Sequence, residues 1–386
     1  MGLAFEFATA GRIVFGAGSR CLVGNLLAGL GQRVLCVTGA ASRHAAWLDP
    51  LLETAGLTTA RFAVAGEPTI DAVRDGVAIA RMEGCDVVLG LGGGSAIDTA
   101  KAIAALAVQP HNAIEYLEVI GSGRPLDGVP LPCVAVPTTA GTGAEVTKNA
   151  VLGSPEHRLK VSLRHPTMLP RCAVVDPELT LSLPPAITAA TGLDALTQLI
   201  EPFVSPRAQP LTDGFCREGL QRIRTALPAV LQAPHDLAAR EGMSLASLLG
   251  GMALANAGLG AVHGFAGPLG GMFAAPHGCI CGKLLPAVME ANIRSLAHGD
   301  GPAAFLDRYR ELARLLTGRT DAEPTDGVNW VRSLVVASGI PGLATYGVTV
   351  ADIPAAVAKA QQASSMRANP VVLSEEVLGE ILLASL

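Results

Sequence analysis

Between Gly242 and Gly282 the chain has no Lys, Arg, Asp or Glu. An apolar stretch longer than about 20 residues has to be tested as a membrane span. It fails, because Gly250, Gly251, Gly258, Gly260, Gly264, Gly267, Pro268, Gly270 and Gly271 interrupt it, and no aromatic belt or basic cluster flanks it. Charge is scarce throughout: 16% of 386 residues are charged and half are apolar, a composition that excludes disorder. Aromatics are few (two Trp, three Tyr, nine Phe), Lys and Arg form no run, and the net charge is −5. Nucleic acid and anionic membrane are therefore poor partners, and a small molecule is the better one. The eight cysteines include no CxxC pair and read as reduced thiols. The N-terminus places Glu6 where a leader peptide needs bases, so a cytoplasmic location is expected.

The length favours two domains. Strand-like apolar runs at 12–16, 33–39, 59–65, 86–92 and 131–137 alternate with helical stretches at 20–30, 43–56 (capped by Ser42) and from Thr69 or Asp71 to Gly84. That alternation predicts a parallel sheet with helices on both faces. Gly92, Gly93, Gly94 and Ser95 follow one strand directly and open a helix running through Asp98 to Lys101. Bare glycines let backbone amides approach an anion, Ser95 offers a hydroxyl and an N-cap, and the helix start adds partial positive charge, so the turn reads as a pyrophosphate seat. A purely geometric turn is the plainer alternative, and the GxGxxG spacing is absent. A second loop, Thr138, Thr139, Gly141, Thr142, Gly143 and Thr147, follows the run ending at Pro137 and supplies hydroxyl and amide donors at the same kind of strand end. Two such loops favour a bound nucleotide over a Thr-capped turn. In the uncharged segment, His263 and His277 need partners or a ligand, because a buried imidazole is otherwise costly.

Taken together, Gly93 to Lys101, Pro137 to Glu145, Asp176 to Thr180, Thr191 to Thr197 and Pro276-His277-Gly278 resemble the iron-containing (group III) alcohol dehydrogenase family, which includes glycerol dehydrogenase-like and maleylacetate reductase-like members. The match runs from Phe15-Gly16 to Asn369-Pro370 and Glu376. The resemblance implies an α/β Rossmann-like nucleotide-binding domain, an all-α C-terminal domain and a cleft between them holding NAD or NADP. Leu183-Pro184-Pro185 is a stop signal, after which Ala/Leu-rich helical patterns take over, so the domains are expected at 1–183 and 184–386. The resemblance also implies a divalent metal, iron or zinc, on Asp194, position 198, His263 and His277. Position 198, one helical turn after Asp194, is Gln198 where the family pattern has His, and the histidine many members carry four residues after the first downstream ligand is replaced by Gly267. Asp194, His263 and His277 alone still form a competent two-His, one-carboxylate set. Gln198 offers a weaker amide oxygen, and the opposing possibility is a site without an ion whose side chains bind substrate directly. Cys279 and Cys281 offer a soft ligand, against the ordinary reading of small buried cysteine.

The resemblance assigns Lys160 to the nicotinamide end, with a surface lysine as its plain alternative, and leaves His277 as a catalytic candidate if it is unligated. At Gly39, the end of the first Rossmann-like strand, NAD-restricted members carry Asp; its lack, with Arg43 a turn later, permits NADP, while Glu67, where relatives often carry Asn, restores some preference for NAD, and the balance predicts dual use. The resemblance further implies a homodimer. Two competing readings are a metal-independent keto-acid reductase resembling maleylacetate reductase, with Arg164, His165 or Arg171 taking a carboxylate, and a catalytically silent nucleotide-binding protein.

Overall fold

The computed structural model describes residues 4–40, 45–157 and 159–386. The described chain divides into two compact units, one of Thr9–Thr139 with Gly143–Thr180, the other of Leu181–Leu386 with Ala140–Thr142 and the described segment ending at Ala8.

The first unit is built on a six-stranded parallel sheet of β1 (Ile13–Phe15), β2 (Arg33–Gly39), β3 (Thr58–Val64), β4 (Val87–Gly92), β5 (Cys133–Pro137) and β8 (Cys172–Val175), in the order β1-β8-β5-β4-β2-β3. Strands β4 and β5 are buried along their whole length, as expected of central strands covered on both faces. Helices α1 (Val23–Ala28), α2 (Ala45–Thr54), α3 (Ile70–Met82) and α4 (Gly94–Leu106) connect them. Of the two helix starts weighed near residue 70, Thr69 is the cap: its hydroxyl accepts from the Ala72 amide at 3.1 Å. The proposed Ser42 cap and Arg43 lie outside the described residues. The chain passes from β2 to β3 and returns across β2 to β4, so the strand order reverses between β2 and β4, where open α/β sheets bind ligands. An antiparallel hairpin, β6 (Asn149–Ser154) with β7 (Leu159–Arg164), completes the unit.

The second unit is helical: α5 (Pro185–Val204), α6 (Pro210–Gln232), α7 (Leu237–Ala257), α8 (Ala261–Met272), α9 (His277–His298), α10 (Ala303–Thr317), α11 (Pro324–Ser338), α12 (Ile353–Gln362) and α13 (Glu375–Leu383). Pro185 is the first residue of α5, where its missing N–H costs nothing. That helix is buried from Thr188 to Val204 apart from Thr191, so it forms the axis around which the others pack. The uncharged segment becomes α7, α8 and the start of α9. Helices α7 and α8 bend by 98° at the Gly258 to Gly260 break, and no single helix among the described residues is long and apolar enough to cross a membrane.

Candidate functional site

Three elements of the helical unit bring four donors together. Asp194 sits in the middle of α5, His263 in the first turn of α8, and His277 and Cys281 on one face of α9 at i and i+4. One ligand atom from each lies within 4.8 Å of all the others. Asp194 Oδ1 is 3.3 Å from His263 Nε2 and 3.7 Å from His277 Nε2. The Cys281 sulfur is 3.8 Å from His263 Nε2 and 3.6 Å from His277 Nε2. Asp194, His263 and Cys281 are buried, whereas the His277 side chain is 33% exposed and forms the cluster's outer member. Close backbone approach makes the meeting possible. A Cβ on Gly278 would lie 2.1 Å from the Ala190 carbonyl oxygen, so only glycine lets α9 start hard against α5, one turn before Asp194.

The cluster is supported from behind by a residue that sequence reasoning passed over. Glu201, two turns along α5 from Asp194, is 4% exposed. Its Oε2 lies 2.6 Å from His263 Nδ1, and its Oε1 accepts from the Val262 amide at 2.7 Å. A carboxylate can only accept, so Nδ1 carries a hydrogen, and Nε2, which faces the cluster, is the nitrogen that offers a lone pair when the ring is neutral. The Ala261 amide donates to Asn369 Oδ1 at 3.2 Å, and Asn369 is in turn bonded to Asn292, which donates to the Tyr309 hydroxyl. The two free amides at the start of α8 are thus capped from α5 and from the Asn369-Pro370 motif. A carboxylate deep in the apolar run of α5 was the available signal for Glu201; its partner lies 62 residues away and was not.

The charges respond to one another. Burial pushes the Asp194 carboxyl up, but His277 and His263 outweigh it and hold the group below its ordinary value. Burial lowers His263, yet Cys281, Glu201 and Asp194 raise it well above its ordinary value. His277 is raised by Cys281 and Asp194 against the same opposing effect. Burial raises the Cys281 thiol, and His277 and His263 pull it below its usual range. Asp194 Oδ1 nevertheless has no partner with hydrogen-bond geometry, although it is fully enclosed. The Cys281 sulfur shares hydrogen bonds with both imidazoles, whereas the carboxylate oxygen converges on the same point unbonded; O, N and S donors so gathered are of the kind that bind a divalent cation. Gln198, one turn along α5, is among the groups that hold the Asp194 carboxyl down, while its own Oε1 is buried without a partner.

In the α/β unit, the Gly93 turn and the Thr loop meet on the carboxyl edge of the sheet. The Thr138 amide donates to the Gly92 carbonyl at 2.8 Å, and a Cβ on Gly93 would come 3.3 Å from the Thr139 methyl. Gly93 is the N-cap of α4 and has no side chain to satisfy the first amides, which leaves those of Gly94 and Ser95 free for an anion. The sequence-based N-cap role of Ser95 is corrected here: Ser95 lies inside the first turn and its hydroxyl donates to the Gly66 carbonyl at 2.5 Å. Gly39 ends β2, and among the described residues nothing lies within 4 Å of where a Cβ would stand. Asp98 is engaged within the unit, pairing with Lys101 at 2.9 Å and accepting the Val151 amide at 3.0 Å. Thr147 is buried, and its hydroxyl accepts from Lys101 at 2.9 Å. Lys160 on β7 pairs with Glu67 at 3.2 Å. Thr142 belongs to the stretch grouped with the helical unit, beside Gly141, where a Cβ would come 2.7 Å from that of Thr191. Arg164 faces Glu118 and His165 is bonded to Thr167, so each already has a protein partner.

Residues 10–177 match the family model described as iron-containing alcohol dehydrogenase, and residues 188–386 match that of the Fe-containing alcohol dehydrogenase family, C-terminal. The chain is 35% identical over 333 residues to a 1,3-propanediol dehydrogenase of Klebsiella pneumoniae, covering 86% of this chain and 84% of that one. It is 32% identical over 382 residues to an NAD-dependent methanol dehydrogenase of Bacillus methanolicus, covering 96% of each. Among solved structures it is similar to a 1,3-propanediol oxidoreductase, with a TM-score of 0.91, 32% identity and 100% of both chains covered.

Proposed function

This chain belongs to the iron-containing alcohol dehydrogenase family, and from that premise we propose that its helical unit holds a divalent cation on Asp194, His263 and His277 while its α/β unit holds NAD or NADP. The protein is an oxidoreductase of small alcohols. The observation that carries the metal assignment is the enclosed, unbonded Asp194 Oδ1 facing two imidazole nitrogens, one of them fixed as an acceptor by Glu201. When bound, such an ion supplies positive charge against the negative charge that builds on the reacting oxygen. The nicotinamide supplies the hydride acceptor.

The chain's own residues orient both groups. Glu201 holds the His263 tautomer, and Gln198 steadies the Asp194 carboxylate from one turn away. His277, the outward-facing member, is the first side chain an incoming alcohol would meet. The free amides of Gly94 and Ser95 take the pyrophosphate, with Gly93, Thr138, Thr139, Thr142 and Thr147 shaping the loops around it. Asp98 acts indirectly, by tying α4 to the hairpin that carries Lys160. Lys160, held by Glu67, serves the nicotinamide end. The absence of a carboxylate at Gly39 leaves room for a 2′-phosphate, supporting use of both coenzymes. A homodimer in the cytoplasm fits this reading, with eight unpaired cysteines suited to a reducing compartment. The keto-acid alternative finds no support in Arg164 or His165, which are engaged elsewhere. Nicotinamide absorbance followed with aliphatic aldehydes and with keto acids, using each coenzyme, tests the reading: turnover with aldehydes only is expected, and turnover with keto acids only refutes it.

A further inference from the structure

We infer that Cys281 is the fourth metal ligand of this protein, a thiolate that takes over from the histidine missing at position 198 and makes the site an Asp-His-His-Cys centre. The inference rests on the metal assignment above and concerns a residue that assignment does not use. A tetrahedral ion with bonds of about 2.0 Å to oxygen or nitrogen and about 2.3 Å to sulfur holds its donors about 3.3 to 3.5 Å apart. Of the six separations among the four donors, the 3.3 and 3.7 Å from Asp194 and the 3.6 and 3.8 Å from Cys281 to the same two imidazole nitrogens lie close to that spacing, and all six are within 4.8 Å. The sulfur thus faces the two imidazole nitrogens at nearly the same range as the carboxylate oxygen does.

Independent observations point the same way. Asp194 Oδ1 is buried and unpartnered by hydrogen-bond geometry, so the centre of the cluster is where its lone pair is satisfied. Cys281 follows His277 by one turn of α9, the spacing that puts two ligands on one helical face, just as position 198 follows Asp194 on α5. Gln198 is among the groups that hold the Asp194 carboxyl down, from a supporting place behind a ligand. Cys279, the other cysteine near His277, is not among the four residues whose ligand atoms converge. Replacing an imidazole by a thiolate softens the donor set, which favours zinc over ferrous iron in this member of the family.

Cobalt(II) added to the chelator-stripped full-length protein tests the inference, because cobalt bound to a thiolate gives a sulfur-to-metal charge-transfer band in the near ultraviolet. The expected result is one equivalent bound with that band present, the band abolished in Cys281→Ser and retained in Cys279→Ser, and zinc affinity reduced at least about tenfold in Cys281→Ser. Sulfur in the first coordination shell by X-ray absorption on the zinc-loaded wild type gives the same answer without any variant. Cobalt bound without the band, or a band that survives Cys281→Ser, overturns the cysteine ligand and leaves the Asp194, His263 and His277 assignment standing. No cobalt or zinc bound by the wild type overturns both.

Discussion

At the scale of single residues, glycines with opposite surroundings make opposite predictions. Gly278→Ala would drive a Cβ into the Ala190 carbonyl at 2.1 Å, a backbone atom that cannot step aside. The expected cost is about 1–3 kcal/mol, with loss of metal affinity as α9 is pushed off α5, read from denaturation midpoints and chelator competition. Gly214, exposed inside α6 with nothing near its Cβ position, should instead gain about 0.5–1 kcal/mol on substitution by Ala. At Gly39 a Cβ also meets nothing among the described residues, so Gly39→Asp should fit there. It should leave NAD turnover close to wild type and reduce NADP turnover by about tenfold or more, since a carboxylate there repels a 2′-phosphate. Equal use of both coenzymes by the variant would remove Gly39 from coenzyme selection.

At the scale of elements, two buried carboxylates tie helices and loops together with different consequences. Glu201 joins α5 to the start of α8 and fixes the His263 ring. Glu201→Gln keeps the shape but removes the charge behind the ring, and should weaken metal binding ~10- to 100-fold in a chelator competition. Unchanged affinity would make Glu201 a helix cap only. Glu145, in the short turn Ala144–Val146, is 3% exposed, and burial pushes it up to about 7 against the opposing pull of its own backbone amide and Lys101. Because its folded value lies above its ordinary value of 4.5, the folded state binds the proton more tightly than the unfolded chain. Its contribution is complete below about pH 4.5 and is lost as pH rises through about 7, a fall of a few kcal/mol. Glu145→Gln should therefore gain stability relative to wild type at about pH 8 compared with about pH 5 in urea titrations. A difference independent of pH would contradict this.

At the scale of the whole molecule, the legible parts were those carried by local pattern. Strands β2, β4 and β5 announce themselves as apolar runs ending at Gly39, Gly92 and Pro137, and Pro185 marks the start of α5. Strand β8 has only four residues and no periodic signal, whereas the alternation of apolar and polar residues from Leu159 to Arg164 in β7 was legible as a half-buried strand and was passed over. The site divides along the same line. Asp194, His263 and His277 could be aligned with motifs, whereas the nearness of Cys281 to both imidazoles depends on how α8 and α9 are phased against α5. Glu201 was hidden for the same reason, and Ser95 is no cap because the helix starts two residues earlier than a serine cap would require, with Gly93 as the N-cap.

The account depends most directly on metal content. Protein purified without chelators should carry about one equivalent of divalent metal per chain and should melt at a higher temperature with it than after chelation, since a ligand bound only by the folded state stabilises it. Asp194→Ala should abolish both the bound metal and that thermal shift. Wild-type protein that holds no metal yet oxidises alcohols at full rate would contradict the central claim.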